Sequence, residues 1–195
     1  DNGMNMGHHG VYGKGNATFP LNLFEESVKV PFIASHPGRI PEGRVSEELV
    51  GQYDFLPTLL EYAGVPNPLA STLPGRSFAG LLCGAGRAEE RPVVVYDEYG
   101  PVRMIRDRRW KLIRRFDGVA DELYDLEADP GETRNLAGSA ACRAVETGLR
   151  ARLAAWFERY ADPRRDGARL PVSGMGQTGR CEEGAGAFAP HPAAR

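Results

Sequence analysis

The first fifteen residues carry the side chains best able to do chemistry. Asp1-Asn2 sets one carboxylate beside one neutral amide oxygen, the hard-oxygen donors that Ca2+ and Mg2+ take. Asp-Asn-Gly is equally a turn sequence. His8 and His9 could meet an anionic substrate or move a proton, or stand as plain surface groups. No zinc-type His or Cys spacing accompanies them. Lys14 lies between Gly13 and Gly15, where bare backbone lets a bound group come close and an ammonium could neutralise a developing oxyanion. The plain alternative is a solvated turn lysine. Lys14, Lys29 and Lys111 are the only lysines among 24 basic residues.

A second concentration of charge is Arg103, Arg106, Arg108, Arg109, Lys111, Arg114 and Arg115, with Trp110 and Phe116 between them. Such a stripe could bind nucleic acid. Two adjacent strands with one wet face give the same alternation, and Asp121, Glu122, Asp125, Glu127, Asp129 and Glu132 offer counter-charges nearby. The second reading is the stronger, and no nucleic-acid partner is expected. The formal net charge of −2 over 195 residues also argues against a general polyanion binder. No apolar run approaches the ~20 residues of a membrane span. Cys83, Cys142 and Cys181 are too few and too scattered for a disulfide framework, and they leave the compartment open.

These groups need a frame. The polar opening segment, with five glycines in fifteen residues, reads as a structured loop and predicts that residue 1 lies inside a longer chain. Val28 to Ala34 reads as a short strand. Phe55 to Ala63 reads as a helix, with Asp54 as N-cap, Pro57 in the first turn and Gly64 at the C-terminal end. Ser77 to Cys83 is a second short helix. Val93 to Tyr96, Val102 to Arg106, Trp110 to Phe116 and Glu122 to Leu126 are strand candidates joined by short turns. Cys142, Val145, Leu149, Leu153, Trp156 and Tyr160 recur at helical steps. Together they predict a small antiparallel sheet covered on one side by a helix. The Gly and Pro density beyond 160 predicts a loop-rich tail.

In order along the chain, the segments resemble the C-terminal part of a type I, formylglycine-dependent sulfatase of the alkaline-phosphatase superfamily. The resemblance rests on Asp1-Asn2-Gly3, Gly7-His8-His9-Gly10 through Gly13-Lys14-Gly15, Phe24-Glu25-Glu26-Ser27-Val28-Lys29-Val30-Pro31 and His36-Pro37-Gly38. It continues with Tyr53-Asp54-Phe55-Leu56-Pro57-Thr58-Leu59-Leu60, Trp110-Lys111-Leu112-Ile113, Glu122-Leu123-Tyr124-Asp125-Leu126 and Asp129-Pro130-Gly131-Glu132. Each piece is weak alone; the ordered set, over roughly residues 1 to 160, is specific.

The resemblance implies an α/β fold. Residues 1–90 would be the C-terminal part of the catalytic α/β domain, 91–160 an antiparallel-sheet subdomain packed by one helix, and 161–195 the tail. It implies that Asp1 and Asn2 are the last two protein ligands of an active-site Ca2+ (or Mg2+). It makes Lys14 the catalytic lysine that binds the sulfate and stabilises the leaving oxygen, with His9 and His8 lining the substrate pocket. The substrate would be a small-molecule or carbohydrate sulfate ester. The family's nucleophile, a formylglycine hydrate, belongs to its N-terminal half. Cys83-Gly84-Ala85-Gly86-Arg87 lacks the Pro and Ser of the C-x-P-S-R sequence in which that group forms, so it is expected in the missing N-terminal part and the chain alone is expected to be inactive. The alternatives are a phosphonate monoester or phosphodiester hydrolase of the same superfamily, and a non-catalytic fragment.

Overall fold

A computed structural model describes residues 2–15, 18, 21–86, 91–97, 101–116 and 118–169. Asp1 and residues 170–195 of the expected tail lie outside the described residues.

The chain is built around an antiparallel meander of four strands, introduced after two short ones. Strands β1 (Asn5–Met6) and β2 (Tyr12–Gly13) form a small ribbon. Helices α1 (Glu25–Val28), α2 (Phe55–Tyr62) and α3 (Ala79–Leu82) follow. Strands β3 (Val93–Tyr96), β4 (Val102–Arg106), β5 (Trp110–Arg115) and β6 (Glu122–Asp125) pair in sequence order. Helix α4 (Arg143–Tyr160) closes the fold. All four predicted strands of the meander are present, two of them one residue shorter than expected.

The register explains the core. Val94 faces Ile105, Ile105 faces Leu112, and Leu112 faces Leu123, so one row of apolar side chains crosses the sheet. Leu149, Leu153 and Phe157, four residues apart on α4, cover that row. Trp110 and Trp156 pack half-buried at its edge, as the helical spacing predicts. Burying each large side chain of this kind is worth about 1.5–3 kcal/mol.

Four expectations are corrected. The sheet is covered on both faces: Val102, Met104, Ile113 and Tyr124 pack under Leu23, with Leu21, Phe24 and Val28 beside it. The cationic strands are therefore largely buried and paired instead of wet. Lys111 bonds Glu25 and Glu132, Arg115 bonds Glu122, Arg103 bonds Asp166, and Arg109 bonds Asp125. Asp166 lies in the expected loop-rich tail, so residues 161–169 are tied down.

Val28 to Ala34 is no strand. Val28 ends α1, Pro31 removes a backbone donor, and no described strand pairs with the segment. Its Phe32 and Ile33, together with Phe55, Leu56 and Leu59 of α2, stay exposed.

Asp54 does not cap α2. Its buried carboxylate turns back to accept from the backbone N–H of Gly51 and of Arg76, both at 2.8 Å, and pairs with Arg91. Gly64 does close α2 as expected, at φ 69°, with Val65 N–H donating to Leu60 O at 2.8 Å.

Acid should loosen this frame. Asp125, bonded by the Arg109 guanidinium, and Glu146, bonded by the Gly138 N–H and Arg150, are held below the usual carboxylate range. Asp129 and Asp162 are lowered too, the first by the backbone of Arg134 and Thr133, the second by Arg164. A carboxylate whose folded pKa is depressed adds stability above its unfolded value of about 4 and loses it as pH falls through the folded one. Burial raises Glu132 in the opposite sense and offsets part of that loss. The melting temperature should drop by several degrees between pH 6 and pH 3, and Glu146→Gln should flatten that slope. A flat profile in the unmodified chain would contradict this account.

Candidate functional site

The segment 2–28 carries Asn2, His8, His9 and Lys14 of the expected site residues, Asp1 lying outside the described ones, and the fold anchors it at both ends. Gly3 N–H donates to Ser27 O at 2.9 Å, and Asn22 N–H donates to Gly15 O at 3.0 Å. Both glycines are sterically required. A Cβ on Gly3 would collide with the carbonyl oxygen of Glu26, and one on Gly15 with that of Asn22. The residue after Asn2 and the residue after Lys14 thus rest against one stretch of chain, Asn22 to Ser27.

Asn2 is exposed, and its Nδ2 donates to Gly3 O at 2.7 Å. Lys14 is exposed, directly after Gly13, which sits at φ 129°. None of the described carboxylates pairs with Lys14, whereas Lys111 is fully buried between two of them. Lys29, the third lysine, is exposed at the C-terminal end of α1.

His8 and His9 are both exposed in a 3-10 turn, His8–Gly10. His9, at φ 54°, lays its ring flat on Phe24, with centroids 3.6 Å apart and planes 10° from parallel. Its Nε2 stands 3.6 Å from Glu26 Oε2. His9, Glu26 and Glu132 bring ligand atoms within 4.8 Å of one another, a spacing a metal could use. The Lys111 ammonium already lies 2.7 Å from Glu132 Oε1, so the positive charge this cluster needs is supplied by protein.

Several residues beneath the site escaped the sequence reading. Asn5, Asn22 and Ser27 form a buried polar cluster under the Lys14 loop. Glu132 accepts the N–H of Glu25, the first residue of α1, at 2.6 Å across 107 residues of sequence, which satisfies one orphan donor of that helix. Glu25 also bridges Arg106 and Lys111, two like charges directly opposite in the β4–β5 register. The only local hint was the clustering of short polar residues with glycine.

Of the pair expected to hold a divalent cation, Asp1 lies outside the described residues, and the exposed Asn2 offers a neutral amide oxygen, a hard donor of the type such a cation takes.

Residues 7–159 match the family model described as N-sulphoglucosamine sulphohydrolase, C-terminal. A Delta 4,5-hexuronate-2-O-sulfatase of Bacteroides thetaiotaomicron is 34% identical over 146 residues, covering 70% of this chain and 29% of that protein. A protein solved in complex with its substrate D-glucosamine-2-N,6-O-disulfate shares the fold with a TM-score of 0.71 at 30% identity, over 85% of this chain and 34% of that one. The phosphonate monoester hydrolase of Agrobacterium radiobacter gives 0.63 at 25% identity, over 79% and 33%. The chain spans about a third of the length of these relatives. With the meander, all but the last residue of its covering helix, and Lys14 inside the matched span, the chain belongs to the N-sulphoglucosamine sulphohydrolase C-terminal family, among the sulfatases of alkaline-phosphatase-like α/β fold.

Proposed function

We propose that this chain supplies the sulfate-facing lysine and two metal ligands for hydrolysis of a sulfate monoester, a carbohydrate sulfate being the favoured class. The observation that carries the reading is the family match over 7–159, within which Lys14 stands exposed and unpaired by described carboxylates between two anchored glycines. A relative bound to a disulfated glucosamine favours a sugar substrate.

Asp1 and Asn2 would hold Ca2+ or Mg2+, which when bound neutralises charge on the sulfate oxygens. As the S–O bond breaks, negative charge grows on the bridging oxygen. The Lys14 ammonium meets that charge and is placed by backbone, so little reorganisation is needed at the moment of reaction. His8 and His9, both exposed on the same loop, are available to a substrate hydroxyl. The nucleophile lies outside this sequence.

The test compares the 195-residue chain with a catalytically complete protein containing it. The complete protein should hydrolyse an aryl sulfate and a sulfated monosaccharide, lose turnover to a chelator and regain it with Ca2+ or Mg2+. The chain alone should stay at background, because two ligands and a lysine supply no nucleophile. Robust turnover by the chain alone would overturn the division of labour. The likeness to a phosphonate monoester hydrolase supports a second reading, and preference for a phosphonate monoester over every sulfate ester would establish it.

A further inference from the structure

The carbonyls on both sides of Lys14 close on one buried polar cluster. Asn5 is completely buried, and Asn22 and Ser27 are 4% and 3% exposed. Asn5 Nδ2 donates to Ser27 Oγ at 2.7 Å and makes longer bonds to Asn22 Oδ1 at 3.3 Å and Gly13 O at 3.4 Å. Ser27 Oγ donates to Asn22 Oδ1 at 2.7 Å. Asn22 Nδ2 reaches Thr18 Oγ1 at 2.7 Å, and that hydroxyl donates to Gly15 O at 3.2 Å. The Ser27 backbone carbonyl takes the Gly3 N–H. The residue after Asn2 and both neighbours of Lys14 are therefore referenced to the same three residues, Asn5 through its side chain and Asn22 and Ser27 through their backbones.

We propose that Asn5 is a positioning residue, which fixes the backbone of Gly13-Lys14-Gly15 against the segment that carries Asn2 so that the Lys14 ammonium is delivered to the sulfate. The inference rests on the sulfate-binding reading of Lys14. Packing alone does not account for Asn5. Its Oδ1 is buried without a hydrogen-bond partner among the described residues, an arrangement that costs stability. An amide is what can bind Gly13 O, Asn22 and Ser27 at once. Loops that carry a reacting group need such support, because a displacement of about 1 Å can cost on the order of 10²-fold in rate.

The test is a cycle of variants in the catalytically complete protein. Asn5→Leu and the isosteric Asn5→Asp, which lacks the N–H donors, should each lower kcat/KM by roughly 10–100-fold, mainly through kcat. Both should also lower the melting temperature, since each leaves buried polar groups unpaired or buries a charge, so the Lys14→Ala background and a destabilised control separate positioning from folding. In a Lys14→Ala background the same substitutions should change kcat/KM by less than about twofold, because a group acting through Lys14 has nothing left to position. Leu153→Ala is the control: a core cavity on the far face of the sheet should lower the melting temperature and leave kcat/KM in place. In the chain alone, amide exchange at Gly13 and Gly15 should quicken in Asn5→Asp while that of β4 and β5 holds.

Parent-like activity in both Asn5 variants would overturn the proposal, as would equal losses with and without Lys14. If Lys14→Ala itself leaves kcat/KM unchanged, the sulfate-binding reading fails first and the role given to Asn5 fails with it.

Discussion

In a catalytically complete protein containing this sequence, Lys14→Ala should lower kcat/KM by roughly 10²–10³-fold, about 2.7–4 kcal/mol of transition-state stabilisation. Lys29→Ala should stay near the parent, as surface substitutions commonly fall within about ±0.5 kcal/mol. The two lysines are fifteen residues apart and both exposed, so exposure does not separate them. Their backbones do. Lys14 is flanked by glycines whose carbonyls are held at Asn5, Asn22 and Thr18. Lys29 follows the last residue of a four-residue helix, and none of the described residues beyond that helix is seen to fix it. An ammonium on a fixed backbone loses less freedom on meeting the transition state, so its removal costs rate more than affinity. Steady-state kinetics on both variants decides the matter. Equal behaviour of the two, or a Lys14→Ala effect confined to KM, would remove the catalytic role.

How far such a site can be read without coordinates depends on the range of the interactions that build it. The meander was legible because alternation within Val102–Arg106 and Trp110–Arg115 is a local signal. Helix α4 was legible for the same reason, although Phe157 is buried more deeply than the expected Trp156 and Tyr160. Of the Lys14 loop only its glycine-marked loop character was legible; Gly15, expected to make room for a bound group, presses on the Asn22 carbonyl of the chain itself.

What could not be read is pairing at long separation. Lys111 looked like one cation in a solvated stripe, since alternation says which face a side chain takes and nothing about what covers that face. Its partners, Glu25 and Glu132, are 86 and 21 residues away. Asp54 misled for a related reason. Its position before a helix suggests a cap, but Arg76 and Arg91 draw the carboxylate elsewhere, a tertiary demand that outweighs a local preference. The Asn5–Asn22–Ser27 cluster has no periodicity at all, so only packing brings it together.

The buried lysine gives the largest expected effect on stability. Lys111→Met should destabilise the chain by about 3–5 kcal/mol, because it leaves Glu132 and Glu25 without their shared cation. For a chain of this size that corresponds to a fall of roughly 10 °C in melting temperature. Burial already raises the Glu132 carboxyl, and the Lys111 charge is what opposes that rise. Without Lys111 the neutral acid is favoured further. A carboxyl with a raised folded pKa is most stabilising when protonated and loses ground as pH climbs through its folded value. The deficit of Lys111→Met relative to the parent should therefore be smaller at pH 4.5 than at pH 7.5. Adding Glu132→Gln should recover part of the loss at pH 7.5, since the amide keeps an acceptor for the Glu25 N–H and carries no charge. The same contact holds α1, whose Ser27 anchors Gly3, so the doubly substituted chain should also regain protection of the Gly3 amide in hydrogen exchange. A loss below about 1 kcal/mol in Lys111→Met, or one independent of pH, would mean that the two acids find other compensation and that the sheet does not reference the site through this lysine.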